Sequence, residues 1–346
     1  MAYTTIDDPT IYFNTKLYTG TGSSLAITGV GFQPDWVWIK KRNGTTSHTV
    51  TDSVRGVNKQ LFTNETAAEE SYTSVLTAFD SDGFSLSTAG LINASSDTYA
   101  SWNWKTGTSF TNDASATGIG SIDSTGSVNT DAGFSICSYT GTGSTGTIKH
   151  GLNTAPAMII VKNRSAEQNW VVYHQSLGNT KAIFLSTNGA ASTGSDWFND
   201  TSPTSTVFSV GTYDAIAGNG HNLIAYCFAE KQGYSKFGSY TGNGNADGTF
   251  VYTGFKPAFI LTKRSSGAAQ WQIMDNKRSP INPAITVLFP DSNDADTTTY
   301  TTDFTAQGFK HRTTTVSRNG SGSTYIYMAF AENPFTTSTG VPATAR

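Results

Sequence analysis

Charge is what this chain has least of. Asp, Glu, Lys and Arg make up 14% of its 346 residues, against about 25% in an ordinary soluble domain. The formal net charge is −3, and the 22 basic residues do not cluster. Phosphate-backbone binding needs a concentrated basic face, so nucleic acid is not expected as a partner. No apolar run approaches the ~18 residues of a membrane span, and no charged-then-apolar leader opens the chain. The sequence therefore predicts neither membrane insertion nor a signal peptide of its own. There are only two cysteines, Cys137 and Cys227. Two buried, reduced thiols are the plain reading, with a bridge between the first and last strands of one sandwich geometrically open.

Catalytic signatures are missing too. None of His48, His150, His174, His221 and His311 stands in the H-E-x-x-H or H-x-x-x-H spacing of a zinc site on one helix. There is no G-x-S-x-G elbow, P-loop or dinucleotide fingerprint. The loop DSNDAD at 291–296 gathers three carboxylates but lacks the glycine and distal glutamate of an EF-hand, so it reads as a solvated acidic turn rather than a calcium site. Glycoside cleavage needs two carboxylates across a cleft. The candidates Asp52 and Asp275 correspond to His174 in the middle of the chain, which suits turn-capping better than an acid–base pair. No catalytic residue, metal site or cofactor is assigned.

Ser, Thr, Asn and Gly take the place of charge, with 34 glycines and 12% aromatic residues. Such a composition suits many short strands joined by tight turns. The order within it is a repeat. SYTGTGSTGTIKHGLNTAPAMIIVKNR at 138–164 is echoed by SYTGNGNADGTFVYTGFKPAFILTKR at 239–264 and, more distantly, by LYTGTGSSLAITGVGFQPDWVWIKKR at 17–42. Tyr18, Tyr139 and Tyr240 correspond, as do Pro34, Pro156 and Pro257, and Arg42, Arg164 and Arg264. Further on, His48, Trp170 and Trp271 correspond, as do Phe84, Phe208 and Phe309. The later two copies are about 101 residues apart and the earlier two about 122, so the excess is an insert. A repeat of this period decides the architecture. The expected fold is all-β: three tandem β-sandwich copies, each the size of one small β-domain.

The boundaries follow. Residues 1–106 form the first copy, whose N-terminal arm, apolar at Ile11–Phe13, packs on that domain or on a neighbouring subunit. Residues 107–131 are Gly, Ser, Thr and Asp-rich and read as a linker or extended arm. The second copy spans 132–231 and the third 232–335, followed by a tail at 336–346 whose composition predicts disorder. ETAAEESYTS at 65–74 has the only helical composition, and is one or two helical turns or a loop. The runs at 36–39, 158–161 and 258–261 read as central strands buried on both faces. Trp170 and Trp271 could stack on sugar rings, but a lone Trp in a strand reads first as core.

The phrases AYTTIDDPTIYFNT, GFQPDWVWIKKR, NTDAGFSICSYTGTG, PAMIIVKNRS, NLIAYCFAEKQGYSKFGSYTGNG and YIYMAFAENPF closely resemble a repeat module of bacteriophage virion proteins. The module is common in phages of marine bacteria and cyanobacteria and is found in tail and tail-fibre proteins. The resemblance covers nearly the whole chain. It implies a concanavalin A-like or jelly-roll sandwich, a place in the virion after assembly in the host cytoplasm, and other virion proteins as partners. It supplies no catalytic residues. Tail-fibre proteins usually begin with a segment that docks on the particle. This chain begins with the module, which implies attachment through the module or its short ends.

The expected function is thus a non-enzymatic virion structural protein. A tail fibre or appendage binding host-surface glycans comes first, a capsid or tail decoration protein second, and a polysaccharide-degrading enzyme last. Covering of edge strands and the symmetry of phage appendages predict a homo-oligomer, a trimer, with 1–15 or 336–346 in the interface. Sugar binding needs exposed aromatic faces near convergent polar groups. The candidates outside the apolar strands are Trp197, flanked by Asp196, Asn199 and Asp200, then Tyr213 and Tyr300. The alternative for Trp197 is that it plugs the end of the second sandwich.

Overall fold

Three apolar strand cores set the architecture, in Trp36–Lys41, Met158–Asn163 and Phe255–Arg264. In a strand, successive side chains point to opposite faces, and here both faces are covered. Val37 and Ile39 pack against the strands Leu25–Thr28, Leu76–Asp80 and Gly83–Leu86, while Trp36 and Trp38 point the other way into a central core. Ile159 and Val161 face Gly146–Lys149 and Val207–Val210, while Met158 and Ile160 enter the same central core. Ile260 faces Phe250–Tyr252, Thr302–Thr305 and Gly308–His311, while Phe259 and Leu261 turn inward. Full burial stabilises each such side chain by about 1.5–3 kcal/mol, which explains why these runs carry no polar alternation.

The computed structural model describes residues 2–299 and 301–343, and it is all-β. Three larger antiparallel sheets, of six, eight and four strands, each face a smaller one of three, two and three strands. The six-stranded sheet runs Phe13–Thr19, Thr98–Trp104, Trp36–Lys41, Thr49–Asp52, Lys59–Phe62, Glu70–Ser71. In the eight-stranded sheet Asn222–Phe228 lies between Phe134–Thr140 and Met158–Asn163, and Val171–His174, Lys181–Phe184 and Ser192–Thr193 continue outward. The third centres on Thr324–Pro334, between Ser235–Thr241 and Phe255–Arg264. Among the described residues no helix is long and apolar enough to cross a membrane.

The outer faces of the three larger sheets meet in one core. It holds Trp36, Trp38, Trp102, Trp104, Trp170 and Trp271, all fully buried, so Trp170 and Trp271 are core residues. Polar pairs stitch the sheets in sequence. Tyr226 Oη donates to Asp52 Oδ2 (2.7 Å), joining the second sheet to the first. His174 Nε2 lies 3.1 Å from the Tyr327 carbonyl, joining second to third. Trp102 Nε1 donates to Asp275 Oδ2 (3.1 Å), joining first to third. The contacts therefore close a ring. Asp52 and Asp275 also cap their turns as expected, accepting the backbone N–H groups of Arg55 (2.9 Å) and Arg278 (2.8 Å).

Four expectations need correction or refinement. The stretch at 107–131, expected as a linker, is a hairpin. Thr108–Asn112 pairs with Ser124–Asn129, which pairs with Phe134–Thr140 and so widens the second sheet. Edge strands are satisfied by ladder hydrogen bonds, and Phe110, Ile122 and Val128 suffice to anchor this pair on the second core. The stretch at 65–74 contains no helix, only the strand Glu70–Ser71 in an irregular loop. The N-terminal arm reaches the third sandwich. Tyr3 Oη donates to the Gly254 carbonyl, Thr4 Oγ1 to the Gln232 carbonyl (2.8 Å), and Ile6 and Phe13 enter the central core. The tail is met by that arm, since Ser338 donates to the Asp7 carboxylate through both its N–H and its hydroxyl (2.6 Å each). Cys137 and Cys227 are buried free thiols.

Candidate functional site

The first and second sandwiches have equivalent strands next to a sheet edge, Lys59–Phe62 in one and Lys181–Phe184 in the other. Leu61 and Ile183 face the central core. By alternation, Gln60 and Phe62, like Ala182 and Phe184, face into their own sandwich. What lies above them differs. In the second sandwich Gly211 N–H donates to the Trp197 carbonyl (2.7 Å) and Tyr213 N–H to the Asp196 carbonyl (3.0 Å). In the first, Ser87 N–H donates to the Val75 carbonyl (2.8 Å) and Ala89 N–H to the Ser74 carbonyl (2.9 Å). The same backbone ladder thus puts Val75 where the second sandwich has Trp197, and Ala89 where it has Tyr213.

Those two rings fill the second sandwich. Trp197 is 9% exposed and packs edge-on against Phe184 (centroids 5.3 Å) and Tyr213 (4.4 Å). The exposed indole face that sugar stacking requires is absent, and Trp197 plugs this end of the sandwich. Tyr213 is half-buried as part of the plug. Tyr300 lies outside the described residues. Of the expected aromatic candidates, the structure brings Trp197 and Tyr213 together, as packing.

In the first sandwich the plug is missing and a cavity of about 430 Å³ stands open. Gln60 and Phe62 line it, with Val75, Ala89 and Leu91 as apolar wall. Ser47, Glu65, Glu70 and Tyr72 complete it. The Tyr72 ring is 43% exposed. Its hydroxyl donates to the Glu70 carboxylate, and that bond, with some burial and the charges of Glu70 and Glu65, pushes the phenol pKa up. Ser47 Oγ donates to Glu65 Oε1 and accepts from Asn64 Nδ2 (3.1 Å). No lysine or arginine lines the cavity among the described residues.

Gln60 is the unusual member. Its side chain is fully buried, yet neither Oε1 nor Nε2 has a hydrogen-bond partner among the described residues. Leaving a buried donor or acceptor unmet costs about 1–3 kcal/mol each. The second sandwich has Ala182 at this place, with no polar side chain to satisfy. Other buried side chains also have an atom without a partner, Trp197 Nε1 of the second sandwich's plug among them, but at Gln60 both polar atoms of the side chain are unmet.

The rim loop is held from both sides. Tyr72 N–H donates to the Asn58 carbonyl (2.9 Å) and Lys59 Nζ to Ser71 Oγ (2.7 Å). Glu69 bridges Arg55 of its own sandwich (3.1 Å) and Arg164 of the second (2.9 Å). Burial alone would raise the Glu69 pKa, but the Arg164 hydrogen bond and the charges of both arginines outweigh it and hold the carboxyl below its usual range. A site in the first sandwich is thus braced by the second.

The acidic loop at 291–296 does not converge on a point. Asp291 accepts from Trp271 N–H (3.0 Å), and burial pushes its pKa up to about 7. Asp296 pairs with Arg42 (2.7 Å) and Arg278 (2.9 Å). Among the described residues no three His, Cys, Asp or Glu side chains stand together to hold a metal ion.

Sequence reasoning missed Gln60, Glu65, Glu70 and Tyr72. Two signals pointed to them: a glutamine in KQLF where KAIF has alanine, and smaller side chains at Val75 and Ala89 where the second sandwich has rings. Chemically, the cavity offers an aromatic face, two carboxylates and an apolar wall, while the amide atoms of Gln60 are closed to solvent. No curated protein matches the chain. Residues 8–334 match a family described as a domain of unknown function, DUF7483. That match spans nearly all of the ring of sheets, and the chain belongs to this family.

Proposed function

We propose that this chain is a non-enzymatic structural protein of a bacteriophage particle, a tail fibre or appendage that binds host-surface glycan through the open end of its first sandwich. The observation that carries the binding role is the cavity itself. It sets an exposed Tyr72 ring beside the Ser47 hydroxyl and the Glu65 and Glu70 carboxylates. Sugars are bound by such combinations, because a pyranose has apolar faces for a ring and hydroxyls that pair with planar amide or carboxylate groups. The virion role rests on the resemblance of the repeat phrases. In this reading the chain is three copies of one module closed into a ring, of which the first keeps its end open and the second has filled it. The chain works in the virion with other particle proteins, as a homo-oligomer.

The test is binding of the purified protein to host-envelope polysaccharide, beside a Val75→Trp/Ala89→Tyr variant that rebuilds the second sandwich's plug. The reading predicts binding by the native chain and loss in the variant with the fold intact. No binding to any host glycan refutes the glycan role, and gold-labelled antibody that decorates the capsid rather than the tail supports the decoration reading. Two carboxylates line one cavity, which is what glycoside cleavage uses. Release of reducing ends from the polysaccharide would make the protein an enzyme.

A further inference from the structure

We propose that the open end of the first sandwich selects glycans carrying a free ammonium group, amino sugars that are not N-acetylated, over neutral and acidic sugars. This rests on the glycan-binding reading and names its ligand class. The argument begins with the two carboxylates. Ser47 Oγ donates to Glu65 Oε1, and Tyr72 Oη to Glu70 Oε2. All four residues line the cavity. The second oxygen of each carboxylate, Glu65 Oε2 and Glu70 Oε1, accepts from no described donor, and neither is closed to solvent. The cavity therefore presents two open anionic acceptors. No cation of the protein answers them, since no lysine or arginine lines it among the described residues. Those nearest the rim loop are engaged elsewhere. Lys59 Nζ donates to Ser71 Oγ, and strand alternation sets both on the ladder face opposite Gln60 and Glu70. Arg55 is buried between Asp52 and Glu69.

An ammonium-bearing sugar supplies what is missing. Its N–H groups donate to Glu65 Oε2 or Glu70 Oε1 in charge-assisted hydrogen bonds, about twice as strong as neutral ones. The same charge is drawn to the face of the Tyr72 ring, which is 43% exposed. A pyranose face covers the apolar wall of Phe62, Val75, Ala89 and Leu91. The volume of about 430 Å³ is far more than a bare cation fills. A metal ion also lacks ligands here, because among the described residues no three acidic, His or Cys side chains stand together. N-acetylation removes the ammonium charge, and a plain hexose never has it. A uronic acid meets two carboxylates with no compensating cation.

The experiment is titration of the full chain at mildly acidic pH, where a sugar amine holds its proton. The probes are glucosamine, N-acetylglucosamine, glucose, glucuronic acid and tetramethylammonium, each also against Glu65→Gln, Glu70→Gln and Ala89→Tyr. The expected result is glucosamine at least tenfold tighter than N-acetylglucosamine, glucose or tetramethylammonium, and no binding of glucuronic acid. Added salt should weaken glucosamine binding, a measurement on the native chain that needs no variant to fold. Each glutamine variant keeps the shape without the charge and should cut the glucosamine preference severalfold. Ala89→Tyr, which rebuilds part of the plug, should abolish all binding. Glucose binding as tightly as glucosamine, both lost in Ala89→Tyr, overturns the charge selection and leaves the glycan-binding reading standing. Tetramethylammonium binding as tightly as glucosamine also overturns it, because the cation alone is then recognised. A preference for glucosamine that salt does not weaken, or that both glutamine variants keep, overturns it too. No binding of these saccharides or of host polysaccharide overturns both.

Discussion

Gln60→Leu is expected to stabilise the protein while disabling its site. Gln60 is fully buried with its amide unmet by any described residue. An unmet buried donor or acceptor costs about 1–3 kcal/mol, and burying a leucine in the same volume returns about 1.5–3 kcal/mol. The substituted side chain would lie on Phe62, Val75 and Leu91. The methylenes of Gln60 are already buried, so most of the leucine term is offset and a net gain of about 2 kcal/mol is expected. The assay is urea unfolding, read as a higher midpoint at unchanged slope, with saccharide binding measured on the same sample. A stability gain with lost binding identifies a residue kept for function at the expense of stability. A loss of 1 kcal/mol or more, on the order of the amide's own bonds, refutes the reasoning, because it means that the amide is satisfied in the native state.

Four other outcomes follow from the structure. Trp197→Ala should cost about 3–5 kcal/mol and leave adsorption to host cells unchanged at temperatures where the variant is folded; lost adsorption in a folded variant would return Trp197 to the binding surface. Leu261, 1% exposed in the central core, should cost about 2–5 kcal/mol as Leu261→Ala, checked by the unfolding midpoint, and a smaller change contradicts its packing. Glu69→Ala removes the carboxylate between Arg55 and Arg164, so stability should fall by about 3 kcal/mol and saccharide binding with it, as the loop bearing Tyr72 loses its brace; an unaltered thermal scan and titration would refute this. Lys40, Lys162 and Lys263 are buried at the ends of the three apolar strands, donate to carbonyls, and are each pushed down to about 8 by burial. The unfolded chain holds those protons to about 10.4, so it binds more protons than the folded one between the two values. Stability should therefore rise with pH from about 8 towards 10; replacing the three lysines with methionine should flatten that rise, and a native midpoint that is flat or falling over the window counts against the burial.

The local pattern was enough for the apolar strands. Val37, Ile159 and Ile260 are fully buried, and so are the residues flanking them, Trp36 and Trp38 in the first case, because a run with no polar alternation has no face to give to water. The turn roles of Asp52 and Asp275 were legible for the same reason, since capping is a contact over three residues. Composition alone misread 107–131, because a strand at a sheet edge is held by backbone bonds that Ser, Thr and Gly make as well as Val does. The candidate site was the least legible part. A cavity is made by atoms that are not there, and Val75 and Ala89 leave one only because the ladder sets them over Gln60 and Phe62, where the second sandwich has Trp197 and Tyr213. Glu69 braces its loop against Arg164, a residue of another sandwich. Strand identity is written in neighbouring residues. The site is written in pairs far apart in the chain, whose distances only the closing of the three sheets around one core could decide.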